Sequence, residues 1–372
     1  MRIEDNEVDG VYTTGVNAET HGAMLYAKNS TLSRNRIHNV KNSNALSVNG
    51  TEGAYCKAPG SVVEDNDFLD AGLGQGSIAV KNKNTGTFIV RRNKISYVTV
   101  AALAGGEFLT GIYASEMAGA SLTISDNEIF GAQRPIAVPT EPGARPEYVG
   151  IKRNRAEGDF YAAYFAAAAR ILEIEDNIAN QTNPTVVGTS IGVFCLANAS
   201  AVEVLSIKNN KTFGLYRSIV VTYSGTATIN LLRINGNDCG VNNAISGNRG
   251  VSYSGTIAAL ELTGNDLTTP TTKVVGTPPA TFTASENLGY RTRNNGTATI
   301  AAGSTTNNAI LHGLAITPRL QDIQLTPCGV GLGAATVLKV DSVSANYIVV
   351  STNIAPGGAG AAFNWLARAY EN

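Results

Sequence analysis

Three stretches decide the reading of this chain: Val63-Glu64-Asp65-Asn66-Asp67-Phe68, Val90-Arg91-Arg92-Asn93-Lys94-Ile95 and Ile124-Ser125-Asp126-Asn127-Glu128-Ile129. Each is a short β stretch, one or two polar residues, an asparagine, one more residue and an apolar one. The unit recurs outward in both directions. It places ladder asparagines at Asn6, Asn35, Asn66, Asn93, Asn127, Asn154, Asn177, Asn210, Asn237 and Asn265, with a weaker copy ending at Asn287. From Asn6 to Asn265, successive asparagines lie between 23 and 34 residues apart, inside the range of solenoid repeats. Leucine-rich repeats would need several leucines per unit, and helical repeats would need long runs of 3.6 periodicity. Only Phe160–Ile171 hints at one. Short strands with alternate residues inward, joined by tight turns, account for the pattern. An asparagine at the same turn of every coil can bond the turn backbone and its counterpart one rung away. The fold class predicted is all-β: a right-handed parallel β-helix of about ten to eleven rungs over residues 1–288, followed by a small antiparallel β-sandwich over 289–372.

Composition narrows the function classes. The formal net charge is -1, from 28 basic and 29 acidic side chains, and only 15% of residues are charged. Without concentrated Lys and Arg there is no electrostatic case for nucleic acid. Neutral or weakly acidic glycans suit such a surface. Cys56, Cys195, Cys239 and Cys328 form no CxxC pair, and His21, His38 and His312 stand apart from other ligand types in the sequence. Neither a metal site nor a disulfide framework is expected, no cofactor is called for, and the thiols read as free and mostly buried. Gly72-Leu73-Gly74-Gln75-Gly76 reads as a corner rather than a phosphate loop. No apolar run reaches membrane-spanning length, and no basic-then-apolar signal segment opens the chain. The first unit begins at Ile3 with no capping element before it. That predicts a piece of a longer helix.

Beyond Tyr290 the texture changes to short alternating strands between turns. Gly303-Ser304-Thr305, His312-Gly313-Leu314 with Pro318, and Phe363-Asn364-Trp365 look like the small β-sandwich at the ends of phage fibre proteins. With the rungs, the chain resembles bacteriophage tailspikes and tail fibres of the pectate-lyase-like β-helix type. The resemblance implies a homotrimer held by its tip modules, assembled in the host cytoplasm and carried on the virion tail through a missing N-terminal region. It also implies binding, and in many members cleavage, of bacterial surface polysaccharide. His312 reads as a loop-bonding residue of the sandwich.

Hydrolysis of a glycosidic bond needs two carboxyl groups flanking it. Most acids belong to the repeated turn, so the informative ones lie off it. Glu107 and Glu141 each follow a ladder asparagine by 14 positions. Equal offsets predict that they stack on neighbouring rungs, where like charges split their pKa values into an acid and a base. Tyr113, Arg134, Arg145 and Tyr148 on the same segments are candidate sugar-binding residues. A second cluster is Glu157, Asp159, Tyr161 and Tyr164, where carboxylates and rings interleave. The expected activity is endo-glycosidic hydrolysis of O-antigen or capsule. A non-catalytic receptor-binding fibre and a polysaccharide lyase using Arg134, Arg145 or Tyr148 are the alternatives.

Overall fold

The computed structural model describes all residues except 16–17, 43–49, 74–77, 84, 99–108, 140–145, 159–168, 182–189, 198–200, 224–226, 243, 308, 329–331, 333, 359 and 370–372. It divides into two compact units, Met1–Leu260 with Asp266–Thr281, and Glu261–Asn265 with Phe282–Asn372.

The first unit is a parallel β-helix. Its first sheet stacks Arg2–Glu4, Thr31–Ser33, Ser61–Glu64, Thr87–Arg91, Ser121–Ser125, Tyr148–Lys152, Ile171–Glu175, Val202–Lys208 and Thr228–Asn235. The second stacks Glu7–Asp9, Arg36–Asn42, Asp67–Leu73, Lys94–Ser96, Glu128–Phe130, Arg155–Gly158, Ile178–Gln181, Lys211–Leu215 and Asp238–Val241. The third side holds a five-stranded block from Thr20–Leu25 to Arg134–Ala137 and a four-stranded block from Ile191–Ala197 to Thr272–Val275. Strict alternation drives the packing. In Thr87–Arg91, Phe88 and Val90 are buried while their neighbours are not. Like residues stack inside: Val63, Val90, Ile124, Ile151 and Ile174 follow one another in register at the core. Cys56, Cys195 and Cys239 are buried free thiols, and desolvation pushes Cys239 up to about 12, so these sulfurs are inert.

The corner between the first and second sheets carries the asparagines. Asn127 Oδ1 accepts the backbone N–H of Asn93 and its Nδ2–H, both at 3.0 Å. Asn127 Nδ2 donates to Val90 O, Ser125 O and Asn154 Oδ1 at 3.1, 3.0 and 2.9 Å. The Asn-to-Asn bond repeats from Asn6 through Asn237. Each amide therefore ties its own coil to the coils on either side, and a buried corner backbone finds its partners. The preceding residue bends left-handed, with φ between 52° and 58° at Asp5, Arg34, Asp65, Arg92, Asp126, Arg153, Asp176 and Asn209. Seven of these eight residues are charged, with signs alternating from rung to rung. Arg34 meets Asp5 at 2.8 Å, Arg92 meets Asp65 at 2.7 Å, and Arg153 meets Asp126 at 2.7 Å. The guanidinium partners hold these three carboxyls below their ordinary range. The residue after the asparagine alternates too: Glu7, Arg36, Asp67, Lys94, Glu128 and Arg155 pair in turn. A slip of one rung would oppose like charges at every coil, so the two rows specify register.

In the second unit, Asn265 Nδ2 donates to Asn287 Oδ1 at 2.8 Å, and Asn287 Nδ2 to Leu262 O at 2.7 Å. Two antiparallel three-stranded sheets follow. Arg293–Ile300, Ala361–Arg368 and Ile323–Pro327 form one, and Ile310–Leu311, Tyr347–Thr352 and Leu338–Val343 the other. Ile300, Ile348, Val350, Phe363 and Trp365 are buried in one cluster. His312 is fully buried, its Nδ1 accepting Leu314 N–H at 3.0 Å and its Nε2 facing Ser344 O at 3.1 Å. The ring bridges two loops. His312→Ala should cost about 2 kcal/mol in denaturant unfolding of this unit, because a buried N–H and a carbonyl lose their partner. A loss below about 0.5 kcal/mol would contradict that role.

Candidate functional site

The outer face of the second sheet presents a row of polar and aromatic side chains close to the rigid corner. Three residues after successive ladder asparagines stand Phe130, Glu157, Asn180 and Phe213, with Glu157 opposite Asn180 and Asn180 opposite Phe213. One residue after them stand Glu128, Arg155, Ile178, Lys211 and Asp238. The Arg155 guanidinium lies 5.6 Å from the Phe130 ring centre and 2.9 Å from Glu157 Oε1. That pairing orients the Glu157 carboxylate, whose side chain is 19% exposed. Phe213 is 41% exposed and Ile178 38%, an unusual degree for rigid strand positions. At Gly240, one coil on, a Cβ would lie 2.4 Å from the Thr212 carbonyl oxygen, so no side chain fits beside Phe213 there.

The charge alternation is interrupted by Ile178, between Arg155 and Lys211, and gives way to two like charges further on. Asp238 pairs directly with Asp266 on the next rung, with no base between them. Asp266 N–H donates to Asn237 O at 2.8 Å and Cys239 N–H to Asp266 O at 3.0 Å, so the register is fixed by backbone bonds. Desolvation, then the Asp266 charge, raises the pKa of Asp238, with Lys211 opposing. Asp266 Oδ1 accepts the Thr268 N–H at 2.9 Å and its hydroxyl at 2.6 Å. Two chemically identical side chains thus have different surroundings, one desolvated beside a like charge and one hydrogen-bonded. That is the arrangement by which an acid and a base are made from a carboxyl pair. Stacked strands set the two backbones about 4.8 Å apart. Glu157 stands three rungs away, roughly 14 Å along the axis, too far to share a bond with Asp238.

Of the catalytic and sugar-binding residues singled out in the sequence, the four that are described lie on three different sheets. Glu157 lies on this face. Tyr148 lies on the first sheet, its hydroxyl donating to Glu173 Oε2 at 2.8 Å, with Lys152 beside the same carboxylate. Tyr113 and Arg134 lie on paired strands of the third sheet. Glu107, Glu141, Asp159, Arg145, Tyr161 and Tyr164 fall outside the described residues, as does most of Phe160–Ile171. Chain order alone bears on the equal-offset argument. Glu107 belongs to the connection between Lys94–Ser96 and Thr110–Ser115, and Glu141 to that between Arg134–Ala137 and Tyr148–Lys152. One connection leads into the third sheet and the other leaves it. The sequence reading also set His21 and His38 apart from other charged groups. In space His38 Nε2 lies 3.4 Å from Asp67 Oδ2, and His21 touches Glu19 and Glu52. Among the described residues no group of three or more His, Cys, Asp or Glu could hold a metal.

Comparison with solved structures returns several chains of one kind. The structural neighbours are phage tailspikes. The tailspike of Pseudomonas phage phi297 is 10% identical, with a TM-score of 0.38, and the alignment covers 91% of this chain and 66% of that one. The tailspike of Pseudomonas phage LKA1 gives 11% identity and a TM-score of 0.36 over 91% and 68%. That of Acinetobacter baumannii bacteriophage AP22, solved in complex with capsular saccharide, gives 10% and 0.39 over 87% and 68%. This chain thus spans about two thirds of their length. At such values the likeness assigns no activity or substrate to it. No protein-family profile and no curated protein matches the chain.

Proposed function

We propose that this chain is the body and tip of a phage tailspike, carried on the virion as a homotrimer, that binds a bacterial surface polysaccharide and cuts it internally by hydrolysis. The observation that supports cleavage is the Asp238–Asp266 pair, where the charge alternation of the second sheet breaks and Asp238 is driven toward its protonated form. Asp238 gives its proton to the glycosidic oxygen. Asp266, steadied by Thr268, attacks the anomeric carbon with its other oxygen as the glycosidic bond breaks; water, giving its proton to the Asp238 carboxylate, then displaces Asp266 and releases the sugar. Backbones one rung apart, about 4.8 Å, favour the short carboxyl spacing of retaining enzymes over the wider gap that admits a water. Glu157, Asn180 and Phe213 lie along the same face, where a chain crossing the rungs would meet a ring for stacking and groups for hydroxyl hydrogen bonds. The rival assignment puts the acids at Glu107 and Glu141, or at Glu157 with Asp159.

The test is incubation of the purified protein with surface polysaccharide from candidate host strains. Products are read by size and by absorbance of unsaturated sugars. Shortened chains without that absorbance are expected. Unsaturated products would replace hydrolysis with elimination, and binding without shortening would leave a receptor-binding fibre. Absence of any binding would overturn the whole reading. Glu107→Gln and Glu141→Gln, run in parallel, should stay active.

A further inference from the structure

Away from the second sheet, charged and aromatic side chains crowd the first strands of the third. Glu52 is 1% exposed. Lys81 Nζ lies 2.7 Å from its Oε1 and His21 Nδ1 2.9 Å from its Oε2, while His21 Nε2 reaches Glu19 at 3.2 Å. The His21 ring stacks on Tyr55 at 5.3 Å between centres, and Lys81 Nζ lies 4.9 Å from the Tyr55 ring centre. Burial opposes a charge on His21, but Glu52 and Glu19 outweigh it and raise its pKa. The charges of His21 and Lys81 are therefore taken up by carboxylates, and Tyr55 is fixed between them.

Lys57 differs. Its side chain is exposed, with the ammonium 4.9 Å from the Tyr55 ring centre and 5.6 Å from that of Tyr26; Tyr55 is the main influence on its charge, and Glu19 a minor one. Tyr26 is 59% exposed. Two rings hold a cation whose flexible stem would otherwise lose freedom on pairing with an anion. An exposed ring beside an available, oriented ammonium is complementary to a sugar that carries an apolar C–H face and an acidic substituent.

We propose that Tyr26 and Lys57 form a subsite for an acidic sugar residue, its ring on Tyr26 and its carboxylate or phosphate on the Lys57 ammonium. The inference rests on the polysaccharide reading and narrows it to a charged polymer. It is independent of Asp238 and Asp266.

The experiment measures binding of an acidic surface polysaccharide by isothermal titration, beside the same polymer after carboxyl reduction and after mild removal of phosphate. Wild type should bind the native polymer, less tightly as salt rises, and should lose about tenfold in affinity when the responsible substituent is removed. The treatment that causes the loss identifies carboxylate or phosphate. Lys57→Gln should lose about tenfold and Lys57→Arg should stay near wild type, because the charge is what matters. Tyr26→Ala should weaken binding with an unchanged melting temperature. Full affinity in Lys57→Gln, or for both treated polymers, would overturn the subsite while leaving the saccharide reading intact. Failure to bind any polysaccharide would overturn both.

Discussion

Asn127→Ala is expected to destabilise the β-helix by about 4 kcal/mol, among the largest effects available to a single substitution here. The buried amide makes five bonds. Two reach Asn93, two reach the carbonyls of Val90 and Ser125, and one reaches Asn154. Alanine leaves these groups buried with nothing to replace the lost partner, and each orphan costs about 1–3 kcal/mol before relaxation. Asn127→Asp should be no better. Its oxygen can still accept from Asn93, but it faces Asn154 Oδ1 and two carbonyls with no hydrogen to offer, and it buries a charge. Asn180→Ala, on the outer face, serves as the comparison and should fall within about 0.5 kcal/mol of wild type. Urea unfolding followed by circular dichroism measures all three. An Asn127→Ala loss below about 1 kcal/mol would mean that water or backbone shifts replace the ladder.

What could be read from sequence follows from the same ladder. The asparagine, its left-handed neighbour and the first residue of the second sheet lie within three positions, so no insertion can change their phase. That is why the coil and its core face were legible. Fourteen residues beyond an asparagine, the count has crossed a connection of variable length, and coils here range from 23 to 34 residues. At that distance from an asparagine, positions such as Glu107 and Glu141 have no phase that the ladder fixes. The Asp238–Asp266 pair was within reach, since each acid directly follows a ladder asparagine, and alternating acidic and basic turns make two acids in succession visible as an exception. The contact of His21 with Glu52 needed a different question. The residues are one coil apart in sequence, so an isolated histidine in a solenoid should be tested against positions about 30 residues away. In the tip, alternation in Ala361–Arg368 placed Phe363 and Trp365 inward, but nothing local foretold the bonds of His312 to the 344 loop.

Asp238→Asn should reduce polysaccharide cleavage about 1,000-fold in kcat while leaving polymer binding near wild type, the range expected when a general acid is lost. Asp266→Asn should be comparably inactive. The pH dependence carries the sharper test. Cleavage should fall as pH rises through the raised pKa of Asp238, because the acid form is what donates the proton. Stability moves with the same proton. At pH below both the unfolded and folded values the carboxyl is neutral in both states and costs nothing. Between them the unfolded chain ionises while the folded chain holds its proton, so stability drops with rising pH, and the cost is complete above the folded value. An amide in place of the Asp238 carboxyl carries no charge at any pH. Asp238→Asn should therefore be more stable than wild type at neutral pH and should lose the pH-dependent part of the difference. An ordinary surface aspartate would show neither effect. Gain of stability with loss of cleavage is the signature of strain kept for function. If Asp238→Asn is stabilised and still cuts, the pair is an electrostatic flaw in the stack, and the acid belongs to Glu107, Glu141 or Glu157 with Asp159.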